Sequence, residues 1–245
     1  MDMSKRRRSH HAVIHIPRGG HIPWWGPISR ALDAAINFLK WPVAIATLLL
    51  LPLSVIAALR LAGRIWADPT PAMAFVFGLV AYFAAWHLLL RHRLLGTFFS
   101  TLEHELTHAI FALATFHPVK QLRSTFTRGG HVLYMLYRSE GNWLITISPY
   151  FVPTLSLALM LLLAAVPAEY RWWTEWLLGA VTAYHVTSTM RETDLRQPDL
   201  QKVGYLFCFL FLPTANLIAF GVIFAFAHGG APGIMTFLTD LLPRY

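Results

Sequence analysis

The stretch Leu94–Phe116 reads LLGTFFSTLEHELTHAIFALATF and is the most informative part of this chain. It is apolar for most of its length and long enough to cross the hydrocarbon core of a bilayer, which takes about 20 helical residues. Its middle nevertheless carries Glu103, His104, Glu105 and His108. Ionisable groups at that depth are expensive, on the order of 2.5–3.5 kcal/mol for a central Asp, Lys or Arg, and normally have partners or a function. We therefore expect a membrane helix with a polar site inside it.

Apolar runs of similar length lie on both sides of this stretch. Of the 245 residues, 56% are hydrophobic and 13% charged, whereas soluble domains carry about a quarter charged residues. Backbone groups in lipid have no water to bond, so each run is predicted to be helical. The sequence predicts an all-α polytopic membrane protein with five or six transmembrane helices, the fifth run being the weakest because it is short and contains Glu175 and His185. The runs are Trp41–Gly63, Thr70–Leu90, Leu94–Phe116, Asn142–Val166, Trp172–Met190 and Val203–His228.

The first forty residues differ from the rest. They contain the basic run Lys5–Arg8 and seven of the twenty lysines and arginines behind the net charge of +8. Residues 1–20 are predicted to be a disordered basic tail near acidic lipid headgroups, without a cleavable signal peptide. Ser29–Lys40, after Trp24 and Trp25, is predicted to be an interfacial amphipathic helix. The expected division is a basic and amphipathic segment over 1–40 and one integral membrane domain over 41–245. The lipid bilayer is the expected partner of the positive charge, and nucleic acid is not.

The pattern His104-Glu105-Leu106-Thr107-His108 has the spacing of a metal site. Residues four apart on a helix point the same way, so both imidazoles can bind one ion. Glu105 can then accept a proton from a water molecule at that ion and pass it to a leaving amine. Because Cys208 is the only cysteine, a cysteine-rich zinc site is excluded. The pattern predicts His104 and His108 as ligands of Zn2+ and Glu105 as the catalytic residue.

Polar residues recur along this helix at spacings of three and four. They are expected to face the inside of a helix bundle, while the apolar residues face lipid or neighbouring helices. The alternative is that the buried His and Glu side chains simply pair with one another across helices. The polar stripe consists of Thr97, Ser100, Thr101, His104, Thr107 and His108.

A third ligand is expected elsewhere, because zinc in a hydrolase usually has three protein ligands and a water. We favour Asp199, then Asp194, then His185. Pro198 disfavours helix at Gln197 and can start a new helix near Asp199, which would hold that carboxylate in a defined place. The alternative is that Asp199 is the N-cap of the last span.

The segment Glu103–Ala109 within a membrane helix resembles the site-2-type intramembrane metalloproteases, the M50 family. Gln197-Pro198-Asp199 is similar to the family's Asn-Pro-Asp-Gly ligand motif, with Gln for Asn and Leu200 for Gly, and Ile147-Ser148-Pro149 is loosely similar to its Gly-Pro step. The resemblance implies a zinc endopeptidase, with Asp199 as third ligand, that cleaves a membrane-anchored protein in or near the bilayer. It further implies a multi-pass integral protein, and we expect a bacterial inner membrane.

The residues after the motif predict a β-hairpin, with strands at Val119–Thr127 and His131–Tyr137 and a turn at Arg128-Gly129-Gly130. In the family that the chain resembles, such a membrane-associated element resembles a device that adds an extended substrate to a sheet edge. The alternative is an ordinary connecting loop. Pro149 and Pro153 are expected to break the following span.

Asn142, Ser148 and Asn216 are candidates to polarise a scissile carbonyl, or else packing residues. Two other functions stay open. One is a catalytically inactive zinc-binding membrane regulator or scaffold. The other is an ion transporter whose path is lined by His104, Glu105 and His185.

Overall fold

A computed structural model describes residues 12–15, 23–90, 94–125, 129–136, 140–163, 166–194 and 196–242. The described chain is mostly helical, with one small sheet. The strands are β1 (Ala12–His15), β2 (Val119–Thr125) and β3 (Gly129–Leu136). The helices are α1 (Gly26–Phe38), α2 (Lys40–Ala67), α3 (Met73–Ala85), α4 (Leu94–Ala114), α5 (Trp143–Ile147), α6 (Thr154–Leu163), α7 (Arg171–Glu192), α8 (Pro198–Val203) and α9 (Tyr205–Asp240). Short 3-10 turns at Thr70–Ala72, Ser148–Tyr150 and Ala168–Tyr170 and a π turn at Trp86–Leu90 connect them.

The chain divides into two compact units. The first contains the described residues of Met1–Val43, His92–Tyr150 and Thr189–Cys208. The second contains those of Ala44–Arg91, Phe151–Ser188 and Phe209–Tyr245. The predicted division at residue 40 stays a prediction.

The sheet of the first unit has the order β1-β3-β2. The predicted hairpin is confirmed, since β2 and β3 are antiparallel and Thr125 lies opposite Gly129. The predicted turn is partly wrong, because Gly129 and Gly130 belong to β3; residues 126–128 lie outside the described residues. β1 was not expected, since residues 1–20 were predicted to be a disordered tail. It pairs in parallel with β3, which is therefore the central strand of the three.

Helix α4 packs on this sheet through small residues. Ala109 and Ala112 form a buried cluster with residues of β3 and α5, and Phe111 and Val119 pack against it. Small side chains on α4 let the helix approach the sheet closely. The cluster fixes the rotation of α4, which decides where its histidines point. Its other buried members are Val132, Tyr134, Leu136 and Ile145.

Helix α1 corresponds to the predicted amphipathic helix Ser29–Lys40 but has different bounds. It starts earlier, with Pro at its beginning, ends at Phe38, and leaves Lys40 to begin α2. Its polar Ser29 and Asp33 are buried, while Phe38 is 79% exposed. Ser29 and Asp33 therefore face protein, whereas Arg30 and Asn37 are exposed.

In the second unit, glycines permit close helix packing. A Cβ atom on Gly78 of α3 would collide with the carbonyl oxygen of Trp176 on α7, and one on Gly179 would collide with that of Phe75. This arrangement is typical of helices that associate in membranes, where small residues allow backbone contact.

Helix α9 is interrupted at Gly230, which has a φ of 60°. The segment after it folds back, because a Cβ atom on Gly233 would collide with the carbonyl oxygen of Ala225. A positive φ favours glycine, which has no Cβ to clash. The predicted span Val203–His228 covers most of α9 before this break, but its first residue, Val203, is the last residue of α8.

Three helices are long and apolar enough to cross a membrane, namely Lys40–Ala67, Thr70–Leu89 and Tyr205–Asp240. The segments Trp143–Tyr150 and Thr154–Leu163 are together long and apolar enough for a fourth span, although they are bent by 76° relative to each other. This pair lies within the predicted span Asn142–Val166, which Pro149 and Pro153 were expected to break, and the break lies between Tyr150 and Thr154. Among the described helices, α4 and α7 have the length of a span but are not apolar enough to be counted as one. Five or six spans thus remain a prediction.

Candidate metal centre

Helix α4 places two imidazoles against each other. The Nε2 atoms of His104 and His108 are 3.1 Å apart, and the rings meet edge to face with centroids 4.7 Å apart. His104 is 7% exposed and His108 is fully buried. The four-residue spacing predicted this juxtaposition, because it corresponds to about one helical turn.

Helix α8 brings Asp199 to the same point. Gln197 is extended, with φ −66° and ψ 127°, and α8 begins at Pro198, so that Asp199 lies in the first turn. This is the local structure that a proline imposes on the residue before it. Asp199 is 1% exposed, and its Oδ2 atom lies 3.5 Å from Nε2 of both histidines. Since Gln197 is the N-cap of α8, the alternative reading of Asp199 as an N-cap is wrong.

The three donor atoms have the separation that one metal ion requires. They form a triangle with sides of 3.1, 3.5 and 3.5 Å. The point equidistant from its corners lies about 2 Å from each, which matches Zn–N and Zn–O bond lengths of about 2.0–2.2 Å. The residues present therefore fit a small divalent cation. Among the described residues, His104, His108 and Asp199 are the group that could hold a metal.

A hydrogen bond fixes the tautomer of His108. Its Nδ1 atom lies 2.7 Å from the carbonyl oxygen of Ile145. A carbonyl only accepts, so Nδ1 carries the proton, and a neutral ring then presents its Nε2 lone pair to the centre. Such a partner on the second ring nitrogen is the usual companion of a metal-binding histidine.

Asn142 positions this carbonyl. It is the N-cap of α5, and its Oδ1 atom accepts a hydrogen bond from the backbone N–H of Ile145 at 3.1 Å. Its Nδ2 atom donates to Asp33 at 2.7 Å, and the role of Asn142 in polarising a scissile carbonyl stays a prediction. Two other residues considered for that role donate to backbone carbonyls, Ser148 to Ile145 at 3.1 Å and Asn216 to Leu212 at 2.9 Å.

Tyr150 is a member of the centre that the sequence did not reveal. Its hydroxyl donates to Oδ2 of Asp199 at 3.3 Å, and its ring packs edge to face on His104 with centroids 5.3 Å apart. It is 2% exposed. The position of Tyr150 depends on the break after α5, and a tyrosine within an apolar run carries no motif that would have identified it.

Glu105 is fully buried on α4, between the two histidines in sequence. It is not part of the metal-binding group, which agrees with a role other than ligand. The catalytic role of Glu105 stays a prediction. The stripe is buried where its side chains are described, at Ser100, Thr107 and the two histidines, with Thr101 half-buried.

The other candidate third ligands lie elsewhere. Asp194 is exposed and accepts a hydrogen bond from the backbone N–H of Arg196 at 2.9 Å. His185 belongs to the second unit, where its ring lies 5.9 Å from that of Phe220. The order of preference derived from the sequence, with Asp199 first, agrees with this placement.

The pKa of Tyr134 on β3 is raised by its surroundings. Burial raises the pKa of its phenol, and the negative charges of Asp199 and then Asp33 raise that pKa further. Tyr134 therefore stays a neutral phenol at ordinary pH.

Two imidazoles and one carboxylate form a donor set suited to zinc and to several other divalent transition metals. Three protein ligands leave a coordination position for water or substrate, as in catalytic rather than purely structural sites. Comparison of the chain with protein-family models, with curated proteins and with solved structures finds no match.

Proposed function

We propose that this protein is an intramembrane zinc metalloendopeptidase, which hydrolyses a peptide bond of a membrane-anchored protein in or near the bilayer. The observation that carries the proposal is the convergence of His104, His108 and Asp199 on one point, about 2 Å from each donor atom. The three residues come from two helices far apart in sequence. Burial of all three donors excludes bulk water, so a bound cation would exert its full electrostatic effect.

The roles of the residues follow from their chemistry. Bound zinc would polarise the scissile carbonyl and lower the pKa of a water molecule. Glu105 takes the proton of the attacking water and delivers it to the leaving amine. His108, hydrogen-bonded to Ile145, and Asp199, hydrogen-bonded to Tyr150, would hold the ion.

The substrate is proposed to be extended at the cleaved bond, because a helical backbone shields its own carbonyls. The edge of the β sheet supports this proposal, since β2 lies at one side of the sheet and an extended peptide can add to such an edge. The apolar helices of the chain support the proposal that the substrate is anchored in the membrane.

The resemblance of residues 103–109 and 197–199 to the M50 family supports the same proposal. It extends to five or six spans, a multi-pass topology and a bacterial inner membrane. The three apolar helices found support the multi-pass topology. The lipid bilayer and the substrate protein are the proposed partners.

The test uses purified, zinc-loaded protein in detergent with an unfolded protein and a panel of single-span membrane proteins as probes. Glu105→Gln is expected to keep its zinc but lose cleavage by at least about 100-fold, the scale of general acid–base catalysis. The matched control is Glu103→Gln, which changes another buried glutamate of α4 and is expected to retain cleavage.

The rival functions give different results. Zinc binding by the wild type without cleavage of any probe would favour the inactive regulator or scaffold. Ion flux in liposomes without proteolysis would favour the transporter. Undiminished cleavage by Glu105→Gln would refute the mechanism.

A further inference from the structure

Helix α1 and the first residue of α2 contact the short elements that carry the metal centre. These contacts include several hydrogen bonds, which lie within the first unit. The side chains of Asp33, Asn37 and Lys40 take part in them, and we call these three residues the α1 clamp. The clamp was not apparent from the sequence, which predicted this segment to lie against lipid.

Asp33 is connected to His108 by successive hydrogen bonds. Oδ1 of Asp33 accepts from Nδ2 of Asn142 at 2.7 Å. Asn142 in turn caps α5 through the N–H of Ile145, and the carbonyl of Ile145 accepts the Nδ1 proton of His108. The path from α1 to a metal ligand thus runs through one side chain and one residue of α5.

The second oxygen of Asp33 is also engaged. Oδ2 lies 3.1 Å from Nε2 of His117, whose Nδ1 lies 3.0 Å from the hydroxyl of Thr115. Asp33, His117, Asn142 and Thr115 are all buried. A buried carboxylate is tolerated only when it is well hydrogen-bonded, so this arrangement holds Asp33 in a single position.

Asn37 fixes the start of α5 from the same side. Its Nδ2 atom donates to the carbonyl of Gly141 at 2.9 Å, and its Oδ1 atom accepts from the N–H of Trp143 at 3.3 Å. The indole N–H of Trp143 donates back to the carbonyl of Ile36 at 2.7 Å. Three contacts therefore join α1 to the two residues that flank Asn142.

Lys40 binds the end of α8, the helix that carries Asp199. Its Nζ atom donates to the carbonyl oxygen of Val203 at 2.6 Å. Val203 is the last residue of α8, and Asp199 is in the first turn. A lysine at a helix C-terminus satisfies an otherwise open carbonyl and interacts favourably with the helix dipole.

The short lengths of α5 and α8 make these contacts decisive. They have five and six residues, whereas isolated helices shorter than about 12 residues are marginal in water. Their orientation therefore depends on their neighbours, which include the groups that bind their ends. A carbonyl on α5 and a carboxylate on α8 complete the centre, so a small rotation of either helix would displace a donor atom.

We propose that the α1 clamp is a positioning element of the metal centre: Asp33 acts on His108 through Asn142 and α5, and Lys40 acts on Asp199 through α8. The inference rests on the metal centre of the proposed function and needs no proteolysis. It assigns α1 a role in metal affinity. Residues 26–40 are therefore required for a competent centre.

The test is the zinc dissociation constant of the full-length protein in detergent, measured by competition with a chelator. Asp33→Ala is expected to weaken zinc binding about 10–100-fold, as loss of outer-shell partners of metal ligands typically does. Asp33→Asn is expected to restore affinity to within a few-fold of wild type, since its amide oxygen can still accept from Asn142. Lys40→Met is expected to weaken binding, and Lys40→Arg to retain it.

Asp240→Ala provides the matched control. Asp240 is a buried carboxylate of the second unit with two arginine partners, Arg60 at 3.3 Å and Arg64 at 2.7 Å. Its loss is expected to lower thermal stability and leave the zinc dissociation constant unchanged. The absorption spectrum of the cobalt-substituted protein adds a second readout, which is expected to change in Asp33→Ala and to match wild type in Asp240→Ala.

Each outcome decides the inference. Unchanged affinity and cobalt spectrum in Asp33→Ala would overturn it, as would an equal loss in Asp240→Ala. If Asp33→Ala does not fold, the Lys40 pair decides: equal affinities of Lys40→Met and wild type would overturn the inference, and a loss rescued by Lys40→Arg would support it. Failure of the wild type to bind zinc would overturn both this inference and the proposed function. Zinc binding that follows the expected pattern without proteolysis would refute only the peptidase.

Discussion

The hydroxyl of Tyr150 gives the sharpest test of the metal centre. Replacing Tyr150 with Phe removes one oxygen and leaves the ring that packs on His104. The lost hydrogen bond runs to Oδ2 of Asp199, the atom that faces both histidines. The substitution therefore changes the environment of one ligand atom while it preserves the packing around it.

The magnitude follows from the type of hydrogen bond. A hydrogen bond to a charged group contributes about 1.5–3 kcal/mol. That range corresponds to a factor of about 10 to 150 in an equilibrium constant, since about 1.4 kcal/mol is tenfold. The contact is 3.3 Å long, which is longer than the usual charge-assisted bond of about 2.5–2.7 Å between oxygens. We therefore expect the lower end, a tenfold rise in the zinc dissociation constant.

The assay is chelator competition with the purified protein at constant pH and ionic strength. Tyr170→Phe is the control, because Tyr170 is 56% exposed on a 3-10 turn of the second unit. Tyr150→Leu, which also removes the edge-to-face contact with His104, is expected to lose more, by about 0.5–1.5 kcal/mol. Equal zinc affinity of wild type, Tyr150→Phe and Tyr150→Leu would refute the assignment of Asp199 as a metal ligand oriented by Tyr150.

Further predictions concern the ligand set, helix packing and pH. Asp199→Ala is expected to abolish stoichiometric zinc in metal analysis while Asp194→Ala retains it, and the reverse pattern would exchange the two assignments. Gly78→Ala is expected to destabilise the protein by about 1–3 kcal/mol through overpacking against Trp176, whereas Gly63→Ala, with nothing within 4 Å, should be neutral or stabilising in thermal melts; equal melting temperatures would contradict the packing. The raised pKa of Tyr134 predicts stability that is complete below about pH 10, the ordinary tyrosine pKa, and declines above it because only the unfolded state then ionises. Denaturant titrations of Tyr134→Phe should show a weaker decline, and an unchanged one would exclude Tyr134 as its source.

The proposed role of α1 changes how the N-terminal part of the chain is understood. The segment Ser29–Lys40 was predicted to be an interfacial amphipathic helix. In the structure Asp33 is buried, with partners at Asn142, the N-cap of α5, and at His117. At least one polar side chain of this helix is therefore bound inside the first unit.

Parts of the centre were predictable because they are local. His104 and His108 are four residues apart on one helix, so their convergence follows from helix geometry. The start of α8 beside Asp199 follows from Pro198, and the hairpin follows from β-forming runs around glycines. The break between α5 and α6 likewise follows from prolines.

The number of spans was less predictable than the helices themselves. Helix α4 forms over the predicted stretch, but its polar residues lower its hydropathy below that of a span. The residue pattern thus predicted helix α4 correctly. Because α4 contains many polar residues, the sequence does not decide whether this helix crosses a membrane. The fold of α9 back on itself depends on a single residue, Gly230, whose conformation no periodicity predicts.

The sequence alone predicted the helical, apolar character of the chain, most of its helices and the pair of histidines, because these depend on composition and on spacings within one element. It also favoured Asp199, through the effect of one proline. Only the tertiary structure decided which groups contact these residues, namely Tyr150 at Asp199, Ile145 at His108, Asp33 at Asn142 and Lys40 at Val203. Those contacts join segments separated by 37 to 163 residues in the chain. Each depends on how whole helices pack, and a hydrogen bond across such a distance leaves no periodic pattern in the sequence.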